Sequence, residues 1–335
     1  MSDVEAPESG NPIFDNNDNI IQSFQLEESN LRGRIVRLGS VLDEILEPHN
    51  YPEAVNQLVG ETLALSALLS SMLKYEGVFT LQAQGDGPIS MLVSDMTSAH
   101  KLRGCASFNA ERLSSAMQQL SDLSVDERSQ NQLAQLLGKG YLAFTVDQGE
   151  HAERYQGIVD LQGASLVDCV QHYFAQSEQI GTGIKMAVGQ RDGKWRAAGI
   201  MVQNMPEDDV RNENWSSNLN EDDWRRTMIL LDSCTRDEFL SPELGENMLL
   251  MRLFHEEGVR IFPPEPITKD CRCSTDRVEQ VLSTLSEDDL DHITEDGKIT
   301  MTCEFCSRDF IFDDKVFRDK IKMRLKTEPE NTSTE

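Results

Sequence analysis

The chain has 335 residues, of which 39% are hydrophobic and 6% aromatic, and this composition is typical of a globular protein with one large domain and smaller units. Its 58 acidic residues outnumber its 31 basic residues, so its formal net charge is −27 at pH 7. A charge of this sign and size repels phosphate backbones and argues against a nucleic-acid-binding protein.

The chain begins with residues 1–19, which are rich in Asn, Asp, Pro and Ser and are predicted to form a disordered extension. The first ten residues carry acid where a signal peptide carries basic residues. The longest uncharged apolar run, residues 62–73, is shorter than the roughly 20 residues of a membrane span. We therefore expect a cytoplasmic protein that does not enter a membrane.

Residues 20–206 mix strand and helix patterns. The predicted strands are 20–25, 31–38, 78–84, 89–95, 141–147, 155–161, 185–190 and 195–204. Helices are predicted at 53–73 and 165–178. Glycine-containing turns at 84–88 and 191–193 join strands into hairpins. Because strand pairs and helices alternate without a regular βαβ rhythm, the pattern predicts a large N-terminal α+β domain.

Residues 207–265 are predicted to form an acidic helical linker. Two stretches, 225–234 and 245–257, combine apolar faces with acidic residues at helical spacing. Helices this short are marginally stable alone, so we expect the linker to pack on another surface of the protein.

Residues 266–326 contain two close pairs of cysteines, Cys271 with Cys273 and Cys303 with Cys306, on either side of a 29-residue insert. Four thiolates fill the tetrahedral shell of a structural zinc ion, and each close pair supplies two of them. A unit this small has little apolar core and gains much from a metal cross-link. The sequence therefore predicts one zinc ion per chain in a small C-terminal domain, followed by a disordered tail at 327–335.

The spacing of the cysteines also predicts a redox response. The first pair is a CxC, not the CxxC of an ordinary zinc ribbon, and a disulfide closing so small a ring is strained. Reduced thiolates bind metal, whereas an oxidant would link Cys271 to Cys273 and Cys303 to Cys306 and remove the ligands. Loss of the metal would unfold the unit.

The remaining candidate ligands and nucleophiles are interpreted as structural. Cys105, Cys169 and Cys234 stand alone in half-apolar surroundings and are predicted to be packing residues. His255 and His292 lie near the cysteine pairs, but four thiolates already complete a zinc shell. The sequence contains no nucleophile elbow, P-loop or dinucleotide fingerprint, so we expect no catalytic residues and no enzyme.

Several blocks of the sequence resemble a known family. CRC and CEFC at 271–273 and 303–306, LQAQGDGPIS at 81–90, ERYQGIVDL at 153–161, YFAQSEQI at 173–180 and LFHEEGVRIF at 253–262 are similar, in this order, to the bacterial redox-regulated 33 kDa chaperonin family. The resemblance covers about residues 20–325. Gly181, where the family often has proline, and a longer acidic insert at 212–223 depart from its pattern without touching the cysteines.

The resemblance implies a fold and a function. It implies an α+β domain, a helical linker and a four-cysteine zinc domain, in agreement with the residue patterns. It also implies an ATP-independent holdase that is inactive when reduced and zinc-bound, binds unfolded client proteins after oxidation and then forms a homodimer. Two alternatives remain: a thiol–disulfide oxidoreductase that uses the CxxC pair, and a zinc-ribbon nucleic-acid binder, which the net charge disfavours.

Overall fold

The computed structural model describes residues 18–149, 155–204 and 221–327, and for 321–327 it describes the backbone alone. Contacts among these residues divide the chain into two compact units, Met1–Asp270 and Cys271–Glu335. Most of the predicted N-terminal extension, part of the linker and most of the tail lie outside the described residues. The division into five regions stays a prediction.

The first unit contains strands and helices in mixed order. Its strands are β1 (Ile20–Leu26), β2 (Leu31–Leu38), β3 (Val78–Gly85), β4 (Ile89–Thr97), β5 (Lys101–Phe108), β6 (Gly140–Asp147), β7 (Tyr155–Asp160), β8 (Thr182–Arg191), β9 (Lys194–Asn204), β10 (Val259–Ile261), β11 (Glu265–Pro266) and β12 (Thr268–Lys269). Its helices are α1 (Ser40–Leu46), α2 (Glu53–Ser70), α3 (Ala110–Ser121), α4 (Val125–Leu137), α5 (Leu166–Tyr173), α6 (Glu221–Ser233), α7 (Arg236–Leu240) and α8 (Glu246–Phe254). No helix in the described residues is both long and apolar enough to cross a membrane.

Within the described residues of this unit the strands form two sheets of six strands each. The first sheet has the order β10-β1-β2-β9-β8, with β11 also paired to β1, and its pairs are antiparallel. The second sheet has the order β12-β5-β4-β3-β6-β7, in which only β12 and β5 run parallel. The predicted α+β class is confirmed.

Both predicted hairpins are confirmed. β3 pairs with β4 across the turn at residues 86–88, and β8 pairs with β9 across Asp192 and Gly193. The backbone at Asp192 and Gly193 has φ angles of 52° and 74°. Positive φ at both central residues is the signature of a type I′ turn, whose twist matches that of the strands it joins.

Helix α2 contacts strands of both sheets. Leu63, Leu65 and Leu68, which point in different directions around the helix axis, are all fully buried. They belong to a core that also contains Val36 from the first sheet and Phe79 from the second. The main core of the unit is therefore built around this one helix, as its apolar sequence predicts.

The first sheet has a second core on its other face. Alternate residues of β2 point to opposite faces, so Val36 joins the core around α2, whereas Leu31 and Ile35 join a cluster with the linker helices. Helices α6, α7 and α8 supply nearly half of that cluster, including Leu250 and Phe254. The prediction that the linker packs on another surface is confirmed, and that surface is the outer face of the first sheet.

Several elements of the first unit have no counterpart among the predicted ones. They are α1, α3, α4 and β5 and the short strands β10, β11 and β12. The two helices between β5 and β6 do carry start signals, since Asn109 caps α3 and Ser124 forms a capping box with Glu127 at the start of α4.

The second unit is small. It contains α9 (Thr275–Ser283), α10 (Glu287–Ile293), β13 (Thr294–Glu295), β14 (Lys298–Thr302), β15 (Asp309–Asp313) and α11 (Asp314–Thr327). Residues 294–313 form an antiparallel three-stranded sheet, and in the described part of the unit its fully buried apolar cluster consists of Leu282, Leu290, Ile299 and Phe317.

One buried arginine fixes the linker to the first sheet. Arg37 on β2 is 1% exposed; it donates a hydrogen bond to the Ser241 carbonyl at 2.8 Å and another to the Leu244 carbonyl. Its Nε lies 3.5 Å from an Asp18 oxygen. Both carbonyls belong to the loop between α7 and α8, so a side chain of the sheet satisfies backbone groups of the linker.

We expect Arg37→Met to lower the free energy of unfolding by about 1–3 kcal/mol, because buried carbonyls lose their charged donor. The matched control is Arg191→Met, which removes an exposed ion pair between β8 and Asp237 on α7. That change is expected to cost about 1 kcal/mol or less. Urea unfolding followed by tryptophan fluorescence measures both values. Equal losses in the two variants would contradict the anchoring role of Arg37.

Candidate metal centre

The four clustered cysteines lie on two segments of the second unit. Cys271 and Cys273 precede α9, whose N-terminus is capped by the side chain of Ser274. Cys303 follows β14, and Cys306 lies in the turn before β15. Between the pairs the chain forms α9 and α10 and then reverses direction in the β13–β14 hairpin. This reversal brings the second pair back to the first.

A hydrogen-bonded turn holds the second pair. The Cys303 amide donates to the Arg308 carbonyl at 2.9 Å, and the amides of Cys306 and Ser307 donate to the Cys303 carbonyl at 3.3 and 2.8 Å. Ser307 has a φ angle of 54°, which lets the chain reverse after Cys306. This backbone geometry directs the thiols of Cys303 and Cys306 to the same side of the turn.

The Arg277 side chain holds the segment of the first pair. Its Nη1 donates to the Arg272 carbonyl at 2.8 Å, so the first turn of α9 braces the residue between Cys271 and Cys273. The sequence analysis did not identify Arg277 as part of the site. Its only signal is its position three residues after the N-cap Ser274.

The sulfur atoms of the four cysteines all lie within 4.8 Å of one another. The Sγ atoms of Cys271 and Cys303 are 3.7 Å apart, and those of Cys273 and Cys306 are 3.5 Å apart. A tetrahedron of sulfurs, each about 2.3 Å from a central zinc ion, has edges of about 3.8 Å. The four thiols are therefore close enough together to form the tetrahedral shell of a metal ion.

The thiols ionise unequally. Burial opposes ionisation of Cys271, but hydrogen bonds from the Cys273 backbone and from the thiols of Cys273, Cys306 and Cys303 outweigh it and lower its pKa to about 7. Burial raises the pKa of Cys273 and of Cys303, and the thiol groups beside them raise both further. Ionisation of one thiol is thus favoured, and ionisation of its neighbours is opposed. A bound cation is therefore needed before all four thiolates can act as ligands.

The two histidines near the pairs do not join the cluster. His292 is exposed on α10, and its Nδ1 lies 2.6 Å from the Asp288 carbonyl oxygen. His255 belongs to the first unit, where it lies 3.9 Å from a Glu256 oxygen. Among the described residues, the group of possible metal ligands consists of the four cysteines.

The three isolated cysteines are buried, as predicted for packing residues. Cys169 lies in the core around α2, and Cys234 lies in the cluster beneath the linker helices. Burial raises the pKa of Cys169, and burial with the nearby Glu238 carboxylate raises the pKa of Cys234 to about 12. Cys105 is 2% exposed on β5. Buried thiols that resist ionisation are poor nucleophiles and poor metal ligands.

Comparison with known proteins gives a consistent result. The family model described as "Hsp33 protein" matches residues 19–313. A 33 kDa chaperonin of Caulobacter vibrioides is 39% identical over 318 residues, which cover 93% of this chain and 99% of the relative. A 33 kDa chaperonin of Pseudomonas fluorescens is 35% identical and covers 87% of this chain, with 90% of the relative aligned.

A solved structure supports the same fold. The crystal structure of the 33 kDa chaperonin (heat shock protein 33 homolog) of Thermotoga maritima superposes with a TM-score of 0.74 at 21% identity. The match covers 92% of this chain and 99% of that structure.

We expect the reduced protein to contain one tightly bound divalent metal ion per chain. Cys303→Ser combined with Cys306→Ser removes two of the four sulfurs and is expected to reduce the metal content to near zero. Cys234→Ala, which removes a thiol far from the cluster in sequence, serves as the control and should leave it unchanged. Elemental analysis after gel filtration measures the content. Full metal content in the double variant would exclude this site.

Proposed function

The chain belongs to the Hsp33 family, and we propose that it is a redox-regulated, ATP-independent holdase that binds unfolding or oxidatively damaged proteins and prevents their aggregation. Membership makes the protein a chaperone. In the reduced state, Cys271, Cys273, Cys303 and Cys306 bind one zinc ion and the chaperone is inactive. Oxidation converts the four thiols to two disulfides, the site loses its ligands, and the chaperone becomes active.

The observation that carries this proposal is the arrangement of four free thiols within 4.8 Å. An all-sulfur, tetrahedral ligand set suits zinc better than the oxygen-seeking cations magnesium and calcium. A bound zinc ion supplies a cross-link between the two halves of the unit. The same thiolates are the groups that oxidants attack, so one cluster serves metal binding and redox sensing.

Oxidation is proposed to act within each pair. A peroxide takes two electrons and two protons from a pair of thiols, one S–S bond forms, and the peroxide is reduced to water. Cys271 and Cys273 are one residue apart and Cys303 and Cys306 two, whereas the pairs are separated by a 29-residue insert. Once the metal no longer holds the insert folded, the two sulfurs within a pair meet far more often than sulfurs from different pairs.

The size of the second unit supports its unfolding after oxidation. In its described part, the buried apolar cluster consists of Leu282, Leu290, Ile299 and Phe317. A core of this size contributes little against the entropy of ordering some 55 residues. Structural zinc contributes about 10–16 kcal/mol in small zinc-finger peptides. Without its metal ligands the unit cannot stay folded.

The segment directly before Cys271 connects this event to the first unit. β11 pairs with β1 in the first sheet, and β12 pairs with β5 in the second. Glu265 lies 3.1 Å from His100, and Asp270 forms a 2.8 Å ion pair with Lys101. Because these pairings are short and partly exposed, we propose that they loosen when the chain beyond Cys271 unfolds.

Release of the linker helices then exposes apolar surface for clients. Helices α6–α8 cover Phe24, Ile35 and Ile200 on the outer face of the first sheet. Short helices depend on packing to persist, so loss of docking frees both their apolar faces and the sheet. The net charge of −27 keeps client complexes soluble. We further propose that the oxidised form is a homodimer and that the protein acts in the cytoplasm.

We expect peroxide treatment to convert the protein from an inactive form to one that suppresses aggregation of a heat-unfolded test protein. Light scattering with reduced and oxidised protein measures this. Peptide mapping of the same oxidised sample should show Cys271 linked to Cys273 and Cys303 linked to Cys306. The triple variant Cys105→Ala, Cys169→Ala, Cys234→Ala is the control and should still be activated. Equal suppression by both redox forms would contradict the switch, and disulfide-reducing turnover by Cys303 and Cys306 would favour the oxidoreductase.

We expect oxidation to increase hydrogen exchange in α6, α7 and α8 by more than tenfold, because undocking removes their packing. The amides of β3, β4 and β6 in the second sheet provide an internal control and should keep their protection. Mass spectrometry of peptides from reduced and oxidised protein measures both regions. If the linker helices stay protected while holdase activity appears, their release is not the activating step.

A further inference from the structure

A cavity of about 180 Å³ lies in the first unit, beside the C-terminal end of α2. Strands of both sheets and the chain that follows α5 contribute to its wall. Its inner surface is apolar and is formed by Leu69, Phe79, Phe144 and Phe174, all of them buried. Tyr155, which is about half exposed, lies at its opening. The redox mechanism proposed above does not use this cavity.

The size and lining of the cavity suit one aromatic ring. An apolar cavity of about 150 Å³ lined by Leu, Ile and Phe side chains can hold a benzene molecule. Here the rings of Phe144 and Tyr173 meet edge to face, with their centroids 4.5 Å apart, and Phe79 stacks on Phe144 at 6.4 Å. A further ring between these aromatic side chains would gain the same kind of offset or edge-to-face contact.

The cationic side chain of Arg32 also lines this cavity. The Nε atom of Arg32 is buried and has no hydrogen-bond partner among the described residues. Arg34, on the same face of β2, donates to the Ser71 carbonyl at 3.1 Å. Burial and the charge of Arg32 lower the pKa of Arg34 to about 10, and the Glu265 carboxylate partly opposes this shift. An anion in the cavity would be attracted by the positive charge of the Arg32 guanidinium group.

The acid that lines the cavity does not supply this anion. Glu178 accepts hydrogen bonds from the hydroxyl groups of Tyr155 and Tyr173, both at 2.7 Å. The two hydroxyl oxygens are themselves 2.9 Å apart. The Glu178 carboxylate is thus held by the two tyrosine hydroxyl groups.

We propose that this cavity binds a small aromatic carboxylic acid. Its ring lies against Phe79 and Phe144, and its carboxylate accepts hydrogen bonds from Arg32. The neutral ring suits the apolar lining, and the carboxylate is attracted by the charge of the Arg32 guanidinium group, so neither part alone fits as well as both together.

Benzoate is the probe that tests this site on the full-length, reduced protein. Burial of one ring together with a charged hydrogen bond predicts a Kd on the order of 1 mM. Arg32→Gln is expected to weaken benzoate binding by about tenfold or more, while binding of the neutral analogue benzyl alcohol stays unchanged. Arg34→Gln is the matched control, since Arg34 lies on the same strand but does not line the cavity, and it should change benzoate binding by far less. Saturation-transfer NMR measures both ligands.

A second variant keeps the test decisive if Arg32→Gln lowers stability. Leu73→Trp changes a partly exposed lining residue and fills the opening, so it should prevent binding of benzoate and of benzyl alcohol. Absence of saturable benzoate binding to the unmodified protein would overturn the proposal. The proposal would also be overturned if both Arg32→Gln and Leu73→Trp bound benzoate as tightly as the unmodified protein does, because the ligand would then lie elsewhere on the surface.

Discussion

Four thiols packed within 4.8 Å of one another cannot all be ionised unless a cation lies between them, and the second unit depends on this constraint. The lowered pKa of Cys271 and the raised pKa values of Cys273 and Cys303 are its direct expression. The surrounding unit has a small apolar core and gains little stability from packing alone. Under the proposed mechanism, oxidation of these four thiols removes the metal cross-link on which the unit depends.

The first unit obeys a different constraint, which is that its first sheet is buried on both faces. One face packs against α2, whereas α6–α8 lie on the other. Polar groups add to the apolar contact on this outer face: Arg37 bonds the loop after α7, and Arg226 on α6 forms a charged pair with the buried Glu257, which also accepts from Ser29. A docked surface that is part apolar and part ionic can separate into water at moderate cost, since both its charges and its backbone groups can be hydrated.

The junction between the two constraints is the chain from β11 to Asp270. It adds one short strand to each sheet and buries the Ile267 side chain between them before the chain reaches Cys271. A pairing of two residues contributes little on its own, so its persistence depends on order at both of its ends. The segment that precedes Cys271 is thus part of both sheets, so a change at the cysteines acts on both sheets through the chain itself.

The sequence by itself determined the features that depend on near neighbours in the chain. The cysteine pairs, the Asp192–Gly193 turn and the largely apolar α2 are each specified by spacing or by backbone preference within a few residues. It also showed that the linker must bury an apolar face. Only the tertiary structure decided which surface the linker helices pack on. The alternation of residues along β2 indicates that both faces of this strand are buried, but it does not show which elements cover them. The roles of Arg37 and of β10, β11 and β12 follow from contacts between residues some 200 positions apart, for which a single sequence contains no local signal.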